Sequence, residues 1–123
     1  MDINDLTYKI IGCVYKVHSE LGPGLLESTY EVCLQHEMRK ANLNVLRQCE
    51  LPVIYDSLEL DAGYRVDLLV EQSVILEIKA VNEIAPIHKA QLMTYLKLAE
   101  LKVGLLLNFN VKDMKQGIKR IVM

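Results

Sequence analysis

Asp67, Glu77 and Lys79 are the residues whose types and spacing best suit chemistry. They lie in "YRVDLLV" (64–70) and "SVILEIKA" (73–80), two apolar runs joined by Glu71–Ser73. Successive side chains of a strand alternate faces. The second run therefore sets Val74, Leu76 and Ile78 on one side and Ile75, Glu77 and Lys79 on the other. The short connection suits a hairpin, and antiparallel pairing brings Asp67 beside Glu77 and Lys79. Charges taken out of water without a partner or a metal cost several kcal/mol each. Two carboxylates converging at a strand margin can hold Mg²⁺ or Mn²⁺, which favour oxygen ligands and keep waters for chemistry. A lysine beside them can orient an attacking water or offset charge on a phosphate oxygen. The plainer reading is a solvated, salt-linked pair, and D-x9-E-x-K by itself does not separate the two.

The elements that must position these groups follow from periodicity. Leu6, Ile10, Val14, Val17 and Leu21 recur every three or four residues, a helix pattern with Asp2 or Asp5 as its cap. "ELGPGLLE" interrupts it, since Gly22, Pro23 and Gly24 together punctuate a helix strongly. A second helix is predicted over 25–41, with Leu26, Tyr30, Cys33, Leu34 and Met38 facing the core. Glu27, Glu31 and Gln35 share another line of that helix. Val45, Arg47, Cys49, Leu51, Val53 and Tyr55 then alternate as one strand, where Pro52 requires an edge position. After a turn near Asp56–Ser57, strands are expected over 62–70 and 74–80. A helix starting at Pro86 would pack Ala90, Leu92, Met93, Leu96 and Ala99. "VGLLLNF" from Val103 reads as an interior strand, and a helical turn with an edge strand closes the chain. The order is approximately α-α-β-β-β-α-β, one α/β domain over residues 1–123.

Other groups gather less sharply. Gln91 and Tyr95 are four apart and His88 lies three before Gln91, so one helix face can carry all three. They can line a cleft and meet phosphate or Lys79; equally, Tyr95 can be a half-buried core residue and Gln91 solvent-facing. Lys119 and Arg120 read as a solvated strand end or a phosphate contact. His18, His36 and His88 are too scattered for zinc, and no phosphate loop, dinucleotide glycine series or acyl-transfer triad is present. Cys13, Cys33 and Cys49 form no CxxC pair and read as buried thiols. Fourteen basic and sixteen acidic side chains give a formal charge of -2, no broad footprint for coating a long nucleic acid. The start lacks a basic-then-apolar targeting run, and no apolar run approaches the roughly 20 residues that span a bilayer. A soluble cytoplasmic protein without a membrane partner is the expectation.

"GLLESTY" (24–30) matches the G-x-x-E-x-x-Y signature of the GxxExxY protein family, and the chain resembles that family further through "YRVDLLV", "VILEIKAV", "HKAQLMTYL" and "VGLLLNF". The resemblance covers nearly the whole chain, with five blocks in the same order. The family looks like a compact branch of the PD-(D/E)xK nuclease superfamily. It implies a restriction-endonuclease-like core, a central mixed sheet flanked by helices, with a hairpin carrying the acidic residues. By that resemblance Asp67 takes the first acidic position, Glu77 the second and Lys79 the lysine position, while Glu27 resembles a further helical carboxylate completing a metal site. Gln91 and Tyr95 match a Q-x-x-x-Y pattern of several nuclease branches. The family does not keep a strict proline before its first aspartate; here that neighbour is Val66, and proline is not a metal ligand.

The leading expectation is a Mg²⁺- or Mn²⁺-dependent phosphodiesterase acting on DNA, with RNA not excluded. Asp67, Glu77 and Glu27 would ligate metal, Lys79, Gln91 and Tyr95 would act beside them, and His88, Lys119 and Arg120 are candidate phosphate contacts. The rivals are a catalytically silent nucleic-acid-binding or regulatory protein and a structural homo-oligomer, because a fold alone does not fix an activity. A homodimer or a partner protein is a candidate source of specificity in so small a chain.

Overall fold

The computed structural model describes residues 1–61 and 63–123. Helix α1 (Ile3–Leu21) opens on Asp2, whose side chain accepts the Asn4 N–H at 2.9 Å. Of the two caps expected, Asp2 and Asp5, the first is the one used, and Asp5 lies in the first turn. Its far end stops at Gly22, where φ is +72°, and the chain turns through Pro23 and Gly24 into α2 (Glu27–Lys40). Tyr30 fastens this turn. Its hydroxyl donates to the Gly22 carbonyl at 2.6 Å and accepts the Leu25 N–H at 3.1 Å. The buried ring stacks on Phe109, with centroids 4.5 Å apart and planes 12° from parallel.

Five strands form the central mixed sheet: β1 (Val45–Glu50), β4 (Arg65–Val70), β5 (Val74–Lys79), β6 (Val103–Asn108) and β7 (Ile118–Val122), in the order β1-β4-β5-β6-β7. Only β5 and β6 are parallel, and α3 (Pro86–Ala99) makes the crossover that parallel strands require. A three-residue connection, Glu71–Ser73, with Glu71 and Gln72 at positive φ, closes the expected β4–β5 hairpin. A 3-10 turn, Met114–Gly117, precedes β7.

Alternation along β5 divides the core as the sequence implied. Val74, Leu76 and Ile78 pack with Leu6, Ile10, Val14, Leu34 and Met38 of α1 and α2. Ile75 packs on the other face with Leu92 and Leu96 of α3. The helices thus flank the sheet on both sides, a restriction-endonuclease-like arrangement.

Several expectations are corrected. The single strand over 45–55 is two pieces. Beyond Glu50 the Leu51 N–H goes to the Tyr64 carbonyl at 2.9 Å, and Pro52 has no N–H to continue a ladder. Residues beyond it form a separate hairpin, β2 (Val53–Tyr55) with β3 (Leu58–Leu60), turning at Asp56 and Ser57. The strand expected over 62–70 begins at Arg65, and its first residue, Ala62, lies outside the described residues. Leu26 is 74% exposed because it occupies the cap of α2 rather than its core stripe, and Ala90 and Met93 face outward on α3. The three cysteines, expected as buried thiols, are free and only half-buried, at the margins of the two cores.

Replacing Tyr30 by Phe keeps the Phe109 stack and deletes both hydroxyl bonds. Urea titration should show a loss of about 1–3 kcal/mol, the cost of stranding buried polar groups, with an unchanged denaturant slope.

Candidate active site

The site begins where β4 and β5 stop pairing. Their register runs Val70↔Val74, Leu69↔Ile75 and Leu68↔Leu76, and ends there. The next residues along that register are Asp67 and Glu77. In place of a ladder carbonyl, Asp67 Oδ2 accepts the Ile78 N–H at 2.8 Å. On the other side of β4, pairing with β1 is also interrupted: Arg47↔Leu68 and Cys49↔Val66 are joined, while Gln48 and Asp67 between them are not. Gln48 has φ +54°, an uncommon conformation for a residue with a Cβ. Both strands change faces at this break. Val45 and Leu68 lie in the core under α1 and α2, whereas Val66 lies in the core under α3 with Cys49 packed against it. Asp67 is therefore a pivot as well as a carboxylate.

Glu77 is 5% exposed, and its Oε1 is buried without a hydrogen-bond partner. Burial pushes its carboxyl up to about 9, reinforced by the charge of Asp67 and by contact with it, while Lys79 pulls the other way. Lys79, at the end of the same strand face, is half-buried, and among the described residues it makes no salt bridge. Its carbonyl accepts the Phe109 N–H at 2.9 Å, which ties the end of β5 to the end of β6.

Helix α2 adds carboxylates from the other side. Glu27 is exposed at its first position and accepts the Ala80 N–H at 3.4 Å, just beyond Lys79. Glu31, one turn on, is 4% exposed and pairs with the Arg47 guanidinium. Its Oε1 accepts from Gln48 Nε2 at 2.8 Å, and the same amide nitrogen lies 3.4 Å from Asp67 Oδ1. Burial and then the charge of Asp67 raise the Glu31 carboxyl, with Arg47 and Gln48 opposing them. Glu31, Arg47 and Gln48 were not singled out from sequence. Glu31 shared the i, i+4 line with Glu27, a usable signal; nothing about a glutamine announces a left-handed φ.

The remaining expected residues divide. Tyr95 is half-buried against the α3 core, and its phenol is pushed up by burial and then by the charge of Glu77, with Tyr64 and Asp67 following. Gln91 is exposed on the same groove wall as Tyr95 and Tyr64. His88 caps α3, its Nδ1 accepting the Ala85 N–H at 3.0 Å, so that nitrogen serves the fold. Lys119 shares the α3 face of the sheet with Glu77 but sits two strands away across Leu106, roughly 10 Å at ordinary strand spacing. Arg120 faces the other way and holds Asn4 Oδ1 at 2.9 Å at the start of α1. Strand alternation separates these two neighbours, and Arg120 does not join the carboxylates.

Among the described residues no group of three or more His, Cys, Asp or Glu side chains is gathered closely enough to hold a metal ion. Asp67 and Glu77 form a pair instead, and their character fits a hard divalent ion: oxygen donors only, an orphaned buried carboxylate oxygen, and a Glu77 carboxyl raised by burial and then by the charge of Asp67. Mg²⁺ is commonly held by one or two carboxylates with waters and substrate phosphate filling the other positions.

A model of the PD-(D/E)XK nuclease superfamily matches residues 4–121. Comparison with curated proteins finds no match, and comparison with solved structures finds none.

In EDTA, the native protein keeps on Glu77 a proton that the unfolded chain releases near pH 4.5 and the folded chain near about 9. Stability should therefore fall as pH rises through that window, by at most ~1.4 kcal/mol per pH unit for one proton. Glu77→Gln should flatten most of this slope and stabilise the metal-free protein above neutrality; Glu31 contributes a residual slope of the same sign. Urea titrations at several pH values check it, and a wild-type slope of zero would refute it.

Proposed function

We propose that this chain, which belongs to the PD-(D/E)XK nuclease superfamily, hydrolyses phosphodiester bonds with the aid of Mg²⁺ or Mn²⁺, its substrate being DNA. The observation that carries the reading is the Asp67–Glu77 pair at a strand break, Glu77 buried with one oxygen unpartnered and Asp67 half-buried, with Lys79 on the same face of β5 as Glu77. Within the superfamily we read the chain as a member of the GxxExxY branch, on Gly24, Glu27 and Tyr30. In this structure those residues stand at the turn and helix start that bring Glu27 to the end of β5.

Asp67 and Glu77 would hold the ion. Bound there, a divalent ion supplies Lewis acidity to a phosphate oxygen and lowers the pKa of water. Every other contribution comes from the chain. Asp67 is oriented by the Ile78 N–H, so its second oxygen is directed toward Gln48 and the space beside Glu77. Lys79 brings the positive charge that offsets charge building on the phosphate. Glu31, restrained by Arg47 and Gln48, adds negative charge from α2 and keeps Asp67 in place through the shared amide. Glu27 stands at the solvent side, where it can take a proton or a water ligand. Gln91 and Tyr95 line the approach from α3 and are read as substrate-orienting. The neutral state that burial imposes on Glu77 ends when a cation takes up its charge, so metal binding should release a proton at neutral pH.

Purified protein should cut labelled DNA with Mg²⁺ or Mn²⁺ and stop in EDTA. Glu77→Ala and Lys79→Ala should each lower the rate by about a hundredfold or more, the scale for deleting one preorganised electrostatic group. Titration calorimetry in two buffers of different ionisation heat should show Mn²⁺ binding with proton release. Folded protein that binds neither ion would overturn the proposal.

A further inference from the structure

Beside the carboxylate pair, α3 and the chain entering β4 enclose a groove of about 480 Å³. Tyr64 and Tyr95 form one end, with ring centroids 6.4 Å apart and planes at 57°. Ile87, Gln91, Thr94 and Leu98 continue the walls, and none of the lining residues is charged. Tyr64 is 48% exposed, so its ring is open to a visitor. Tyr95 packs in the same apolar cluster as Ile75, two residues before Glu77 on the same face of β5. Through Tyr95 the groove wall thus packs on the sheet face that carries Glu77.

We propose, building on the phosphodiesterase reading, that this groove takes one unpaired nucleobase of the substrate strand, stacked on the exposed Tyr64 ring with Tyr95, Gln91 and Thr94 against its edge, so that the protein acts on single-stranded or frayed nucleic acid. A neutral, aromatic-ended slot with an amide and a hydroxyl suits a base and not a phosphate. Aromatic platforms hold unpaired bases of any sequence, and a base inside a duplex cannot reach one. The charge around the groove points the same way. Tyr64 also borders a second concavity that includes Glu50, Glu59 and Asp61, all exposed, with Glu50 paired to Arg65 at 3.5 Å. These acids oppose a second phosphate chain that comes within the Debye length, about 8 Å at physiological salt. A single strand has one phosphate chain and can direct it to Lys79. With a formal charge of -2 the protein has little general attraction for duplex, and stacking supplies affinity that does not need it.

The test uses the Glu77→Gln chain in EDTA, conditions in which the proposed hydrolysis is suppressed, and anisotropy of labelled DNA and RNA single strands and of the matching duplexes. Single strands should bind at least about tenfold tighter than duplex. A 2-aminopurine base should be quenched on binding. Tyr64→Ala should weaken single-strand binding by about tenfold or more, and Tyr64→Phe should restore it, the scale of one base–aromatic stack. Stronger binding of the DNA or of the RNA strand names the source of the base. Duplex bound as tightly as single strand, or Tyr64→Phe as weak as Tyr64→Ala, would overturn the groove assignment. So would a dimer in sedimentation that Tyr64→Ala dissociates, since the groove would then belong to a second copy. Wild-type cleavage of both forms alongside Tyr64-independent binding refutes the groove alone. Tyr64-dependent binding without any cleavage refutes the hydrolysis alone.

Discussion

The hydrogen bond from the Ile78 N–H to Asp67 Oδ2 is the contact on which the site depends. Ile78 is buried, and a buried backbone donor must find an acceptor. Past Leu68–Leu76 the strands no longer supply one, and the Asp67 side chain does. Three consequences follow from that substitution. The strands can separate without stranding a donor, the carboxylate is held by the backbone rather than by a mobile side chain, and its charge is delivered next to Glu77. A neutral side chain of the same shape would satisfy the donor less well and leave Glu77 less perturbed.

Around that contact the fold concentrates negative charge in stages of decreasing compensation. Glu37, far from the site, is answered by Lys16 and Lys40 on the surface. Glu31 is buried but shared between Arg47 and Gln48. Asp67 has a backbone donor and a distant amide. Glu77 has no hydrogen-bond partner for its inner oxygen. Native interiors seldom leave such a group unsatisfied, and the exceptions concentrate at functional sites. The gradient runs toward the gap between β4 and β5, which is where an added cation would remove the largest electrostatic cost.

How much of this could be seen in the sequence depended on whether local rules carried the information. The face assignment of Glu77 and Lys79 followed from strict alternation in a strand buried on both sides, and alternation held. The Glu71–Ser73 hairpin and the division into helices held for the same reason. The separate β2–β3 hairpin was hidden because Val53 and Tyr55 continue the period of β1, and only the missing N–H of Pro52 separates the two pieces. The helical carboxylates were half visible: a shared line joined Glu27 and Glu31, but which one would be buried against Asp67 depends on how α2 meets β1. Gln48 was invisible. Its positive φ is imposed by the break on both strands at once, a tertiary constraint with no signature in residue type.

That break also explains why so few residues suffice. A strand that simply continued would send Asp67 and Glu77 to one face of a closed ladder, their carboxylates competing for the same solvent with no gap between them. Turning β1 and β4 over together at Gln48 and Asp67 opens the ladder while leaving the registers on either side in step. The core under α1 and α2 continues through Leu68, the core under α3 resumes at Val66, and the opening between them is bordered by Asp67, Glu77 and the amide of Gln48. The strain of one left-handed glutamine, on the order of 1–3 kcal/mol, is offset by its two carboxylate contacts and by both cores remaining filled. A site assembled this way is held by the same contacts that complete the sheet, so its geometry and the fold's stability rise or fall together at Asp67.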